Sequence, residues 1–105
     1  MQFSQSAGSS ADATTAASLV PAYAGHVGVI DNIIFSSVAA EILTIRAGSD
    51  DLTGLIHTTA LGSPIDVLPG NAVLRGDTAN EALTVHAASS GNIYWTVWFH
   101  YEKTT

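Results

Sequence analysis

Residues 82–101 read ALTVHAASSGNIYWTVWFHY, and the fold turns on this stretch. Two runs of β-branched, apolar and aromatic residues flank Ser89-Ser90-Gly91, each alternating at the period of two that marks a strand. The second run gathers Tyr94, Trp95, Trp98, Phe99 and Tyr101. A three-residue loop with Gly third is a common hairpin connection, because Gly91 can adopt the left-handed conformation of a bulged turn. That register pairs Ala88 with Asn92, and so Ala87 with Ile93, Val85 with Trp95 and Leu83 with Val97 on a core face. The opposite face then carries His86 with Tyr94, Thr84 with Thr96 and Ala82 with Trp98. A strand that is aromatic on both faces is expected to be covered on both. Trp95 is therefore expected in the core. Tyr94, Trp98 and His100, with Phe3 from the N-terminal segment, are expected at an interface with another copy or a partner.

Upstream, the chain breaks into short apolar runs divided by turn residues. Residues 19–24 suit an edge strand, since Pro21 lacks a ladder donor. Residues 26–35 are apolar with a change of phase at Asp31-Asn32, the mark of a bulge or a turn. Residues 41–47 read as a strand with Leu43 and Ile45 inward and Thr44 and Arg46 outward. A turn at residues 48–51 precedes a strand over residues 54–57. Short strands at residues 64–68 and 72–74 flank the turn Pro69-Gly70-Asn71. The expectation is an all-β sandwich or jelly-roll of about seven or eight short antiparallel strands over residues 19–105. Residues 1–18, rich in Ser, Ala, Thr and Gln with little to bury, are expected to form an extended, low-complexity N-terminal arm, with at most a short helix over residues 10–17.

At 105 residues the chain makes one domain. Only 11% of its residues are charged against 47% hydrophobic, so much of the surface must be neutral Ser, Thr, Ala and Gly. Such a surface suits permanent assembly. The net charge of −6, with Arg46, Arg75 and Lys103 the only cations besides histidine, argues against nucleic-acid binding, which needs clustered Lys and Arg. Cysteine does not occur, so neither a disulfide framework nor a thiolate site is available. The first ten residues lack the cationic and apolar regions of a secretory signal, and no apolar run of about 18 residues predicts a membrane span.

Residues fit for catalysis are sparse. His26, His57, His86 and His100 are too scattered for a zinc site and are read as surface or interface residues. The Gly-x-Ser-x-Gly elbow of serine hydrolases is missing, so an enzyme is not expected. Asp50 and Asp51, with Asp31-Asn32, could offer oxygens to calcium but lack EF-hand spacing, and read as turn caps. No metal or cofactor is expected. Tyr94, Thr96, Trp98 and His100 project from one strand like a sugar-stacking platform, although Thr84 and His86 beside them would hydrogen-bond a sugar poorly.

The runs ILTIRAGSDDLTGLIH (residues 42–57) and SPIDVLPGNAVLRGDTANEALTVHAASSGNIYWTVWFHYE (residues 63–102) resemble small bacteriophage virion structural proteins. Members have a strand, a Gly-rich turn, a strand, a proline-led segment and a closing strand that ends in an aromatic-rich FHYE-like motif. The resemblance implies a non-enzymatic capsid decoration (cement) protein of sandwich or jelly-roll fold. It would be located in the virion after assembly in the host cytoplasm. Its partners would be the major capsid protein or another virion protein and further copies of itself, as a trimer or dimer. The alternatives are a tail, collar or fibre component and a carbohydrate-binding module.

Overall fold

Two neighbouring runs of sequence can pair with each other or part company into two sheets. Here they part. The computed structural model describes residues 4–60, 65–66, 73–76 and 78–104. Its strands are β1 (Ser4–Ser10), β2 (Ala17–Val20), β3 (His26–Ser37), β4 (Ile42–Ala47), β5 (Asp50–Asp51), β6 (Ile56–His57), β7 (Ile65–Asp66), β8 (Leu74–Arg75), β9 (Leu83–Ala87) and β10 (Ile93–Lys103). One antiparallel sheet runs β1-β10-β3, with β7 and β8 pairing separate parts of the far edge of β3. The other runs β2-β9-β4, with β5 and β6 on the far edge of β4. The fold is an all-β sandwich, as expected. Among the described residues four of the strands span only two residues.

The hairpin expected between residues 82 and 101 is thus replaced by an arch between sheets. β9 bonds to β2 and β4, while β10 bonds to β1 and β3. Backbone satisfaction explains the choice. β10, with 11 residues, finds a match in β3, with 12, whereas the 5 residues of β9 would leave half of it unpaired. Both arrangements bury the same alternating side chains. Leu83, Val85 and Ala87 on one sheet and Ile93, Trp95 and Val97 on the other all point into the core. The arch is closed by Ala88 N–H donating to the Ile42 carbonyl (3.0 Å) and Gly91 N–H donating to the Ala11 carbonyl (3.1 Å). Gly91 does not take a positive φ; Gly25, Gly48 and Asn80 do. A Cβ at position 91 would run into the Glu41 carboxylate as it is placed here, so a larger residue requires that side chain to move. That carboxylate is buried and accepts a hydrogen bond from Ser89 Oγ (3.1 Å).

The N-terminal segment brings a second correction. Ser4–Ser10 forms no free arm but an edge strand, paired from Ser4↔Phe99 to Ser10↔Ile93 without a break. Gly8 admits it. A Cβ at position 8 would lie 2.7 Å from Cε2 and Cζ2 of Trp95, so the bare backbone is what packs against the indole. The helix considered for residues 10–17 is a turn instead. Asp12 Oδ1 accepts from the Thr14 N–H (3.1 Å) and from its hydroxyl, and Ala87 N–H donates to the Ala13 carbonyl (2.8 Å). Phe3 and the turn at Pro69-Gly70-Asn71 lie outside the described residues.

The phase change within residues 26–35 is a bulge. Trp98 pairs with Asn32 and Phe99 with Ile30, leaving Asp31 as the extra residue. β2 stops before Pro21, and Gly48-Ser49 forms a two-residue hairpin loop between Ala47 and Asp50, with Gly48 at φ 60°. Thr44 keeps its outward row beside His86 yet is covered rather than exposed. The end of the sandwich holding residues 20–26 is shut by aromatic contact. Tyr23 stacks on His26 (centroids 4.2 Å apart) and meets Tyr101 edge-on at 5.0 Å, while the Tyr101 hydroxyl donates to the Pro21 carbonyl (2.8 Å).

Candidate functional site

The outer face of the first sheet is assembled from three strands far apart in sequence. Residues directly opposite one another in an antiparallel sheet share a face, with Cβ atoms about 5 Å apart. The register therefore lays down three rows across β1, β10 and β3: Gln5–Trp98–Asn32, Ala7–Thr96–Ile34 and Ser9–Tyr94–Ser36. Tyr94 is 44% exposed and Trp98 half-buried, whereas Trp95, one step out of phase, is 8% exposed and in the core. Tyr94 and Trp98 stand four residues apart on one strand, about 13 Å at ~3.3 Å per residue. A shallow depression of about 140 Å³ lies beside Tyr94, lined by Ile34, Ser36, Tyr94, Trp95 and Thr96. That is far below the ~300–1,000 Å³ of an enclosing small-molecule pocket, so this depression is too small to enclose a small molecule.

His100 continues the line of Tyr94 and Trp98 but does not join their surface. It is 6% exposed, so a partner on that face would meet the two aromatic rings and not the imidazole. Its Nδ1 lies 2.8 Å from Asp31 Oδ2, on the bulge, and its Nε2 lies 3.1 Å from Glu102 Oε2. Arg75, from β8, pairs with the other oxygen of Glu102. Burial of the imidazole works against its charge, but hydrogen bonds to Asp31 and Glu102, reinforced by their negative charges, outweigh it and raise the pKa of His100. Glu102 is pushed down by its hydrogen bonds to His100 and Arg75.

The face therefore has an uncharged part, from Tyr94 to Trp98, and an ionic end at His100. Asp31 is engaged with His100 on one sheet and Asp51 with Arg46 (2.8 Å) on the other, so the aspartates weighed for calcium do not converge. Among the described residues no three His, Cys, Asp or Glu side chains are placed to share a metal ion.

The polar neighbours of the aromatic rings were not visible in the hairpin register. That register set Thr84 and His86 beside Tyr94 and Trp98, whereas the sheet sets Gln5, Ser9, Asn32 and Ser36 there. Alternation along residues 32–36 does put Asn32, Ile34 and Ser36 on one face. Only the pairing of β3 with β10 shows which face of which strand they join.

Among solved structures, the C-terminal domain of EclA, a sugar-binding protein, matches 94% of this chain and 79% of its own length, with a TM-score of 0.52 and 14% identity. At that identity the likeness establishes the sandwich fold. Comparison with protein-family models and with curated proteins gives no match.

Proposed function

We propose that this protein is a non-enzymatic carbohydrate-binding β-sandwich whose ligand lies along Tyr94 and Trp98 on the outer face of the first sheet. One observation carries the proposal. The strand pairing surrounds two accessible aromatic rings with short neutral hydrogen-bonding side chains, Gln5 and Asn32 flanking Trp98 and Ser9 and Ser36 flanking Tyr94. The C–H-rich faces of sugar rings stack on the electron-rich faces of aromatic side chains, and the amides and hydroxyls alongside would serve the ring hydroxyls. The ~13 Å between the two aromatics suits an oligosaccharide better than a single sugar. The sugar-binding protein that shares the fold is consistent with this reading.

Its test is a glycan-array screen followed by titration of the Trp fluorescence with the best oligosaccharide. Trp98→Ala should weaken binding at least ~10-fold, as expected of a central aromatic anchor, while circular dichroism stays that of the parent. A folded parent that binds no glycan, or a Tyr94→Ala/Trp98→Ala variant that binds as well as the parent, would refute it.

The virion reading keeps its own support in the resemblance of residues 42–57 and 63–102 to phage structural proteins and in the low charge of the chain. On that reading Tyr94 and Trp98 seat a capsid or tail protein or another copy, and the protein resides in the virion. Trp98→Ala would then abolish particle binding or self-association, with no glycan affinity to lose.

A further inference from the structure

From the free edge of β1 we infer that this protein pairs with a second copy of itself, β1 against β1, to form a two-fold dimer with a continuous first sheet. An exposed strand edge presents unpaired N–H and C=O groups, and monomeric proteins blunt such edges with Lys, Pro, bulges or very short strands. β1 has none of these. Its sequence, SQSAGSS, is uncharged and free of proline, and its pairing with β10 is unbroken over 7 residues. Among the described residues no strand pairs its other side. The remaining edges are protected. β2 is 4 residues long, carries a register shift between Ser18 and Val20, and runs into Pro21. β5, β6 and β8 have 2 residues each, and β7 has 2 among the described residues.

The composition of β1 selects the occupant. A two-fold interface must be complementary to itself, which a charged strand satisfies badly because like charges meet. Centred on Ala7, antiparallel self-pairing sets Ala7 against Ala7, Ser6 against Gly8, Gln5 against Ser9 and Ser4 against Ser10, with no charge and no bulky side chain in contact. It closes about six to eight backbone hydrogen bonds, depending on which residues of β1 turn their amides outward. The two-fold axis stands perpendicular to the sheet, so both copies show the same outer face on the same side. Their β10 strands are then three strand spacings apart, ~14 Å. This dimer does not depend on the nature of the ligand. If the outer face does hold glycan, the dimer offers two parallel tracks to one polymer.

The test uses the full chain, which contains no cysteine. Sedimentation across a concentration series should show mass rising from 10.8 kDa toward twice that value. Ala7→Cys should form a disulfide-linked dimer on oxidation, because the two Cα atoms on the axis lie about 5 Å apart. Gln5→Cys alone should not, because its symmetry mate is about 13 Å away along the strand. The Gln5→Cys/Ser9→Cys variant should. Ala7→Lys and Ala7→Glu should each be monomeric with parental circular dichroism and should dimerise when mixed. A parent that stays monomeric at every concentration overturns the inference. So does a dimer that Ala7→Lys leaves intact, or one that cross-links through Gln5→Cys and not through Ala7→Cys. A dimer lost in Trp98→Ala but kept in Ala7→Lys would place the contact on the aromatic face instead.

Discussion

Replacing Gly8 by alanine should destabilise the protein, although alanine is ordinarily the better residue in a strand interior. Removing a glycine relieves an entropic penalty of about 0.5–1 kcal/mol. Here the added methyl would sit 2.7 Å from two carbon atoms of the Trp95 indole, closer than non-bonded carbons approach, and Trp95 is packed in the core. Either β1 lifts or the indole turns from its place, and such overpacking costs about 1–3 kcal/mol. The net expectation is a loss of roughly 0–2.5 kcal/mol from these two opposing effects.

Trp95→Ala removes the obstacle and should itself cost about 3–5 kcal/mol. In that background Gly8→Ala should become neutral or stabilising, and the difference between the two backgrounds is the coupling of the strand to the indole. Urea unfolding of the four variants, followed by circular dichroism, supplies the four free energies. If Gly8→Ala stabilises in both backgrounds, β1 does not pack on Trp95, and its place at the edge of the first sheet is wrong.

Two shorter tests concern buried charge. His100 has a pKa raised above its usual 6.5, so its contribution to stability should be full below that pH and lost as pH rises through the raised value. Glu102, lowered from 4.5, contributes above that pH and loses its effect as pH falls through the lowered value. Stability against thermal unfolding should therefore be greatest between pH 4.5 and 6.5 for this pair. His100→Gln should flatten the alkaline decline, and an identical decline in the variant would show that the Asp31–His100–Glu102 contact does not govern it. At the arch, Gly91→Ala should cost about 1–3 kcal/mol by pressing on Glu41, and Glu41→Ala should relieve it. Equal costs of Gly91→Ala with and without the Glu41 side chain would refute that contact.

The class of the fold could be read from the chain because strand alternation is a local property. Burying Leu83, Val85 and Ala87 on one run and Ile93, Trp95 and Val97 on the next follows from period two whatever the strands pair with. The same period separates core Trp95 from outward Tyr94 and Trp98. The bulge at Asp31 was legible too, since an extra residue shifts the phase of the apolar pattern. What alternation does not carry is the partner of each strand. Ser89-Ser90-Gly91 has the composition of a hairpin loop and of an arch alike, and both bury the same side chains. Only the distribution of backbone hydrogen bonds over the whole domain decides between them, with β10 going to β1 and β3 and β9 to β2 and β4. The N-terminal strand was hidden for a related reason. SQSAGSS has no apolar rhythm of its own and becomes a strand because the edge of β10 needs a partner and the Trp95 indole accepts only a backbone without a Cβ at position 8. The outer face changed with the pairing. Tyr94 and Trp98 were visible as an exposed aromatic row, but Gln5, Ser9, Asn32 and Ser36 reach them only through contacts between strands distant in sequence, which tertiary structure alone brings together.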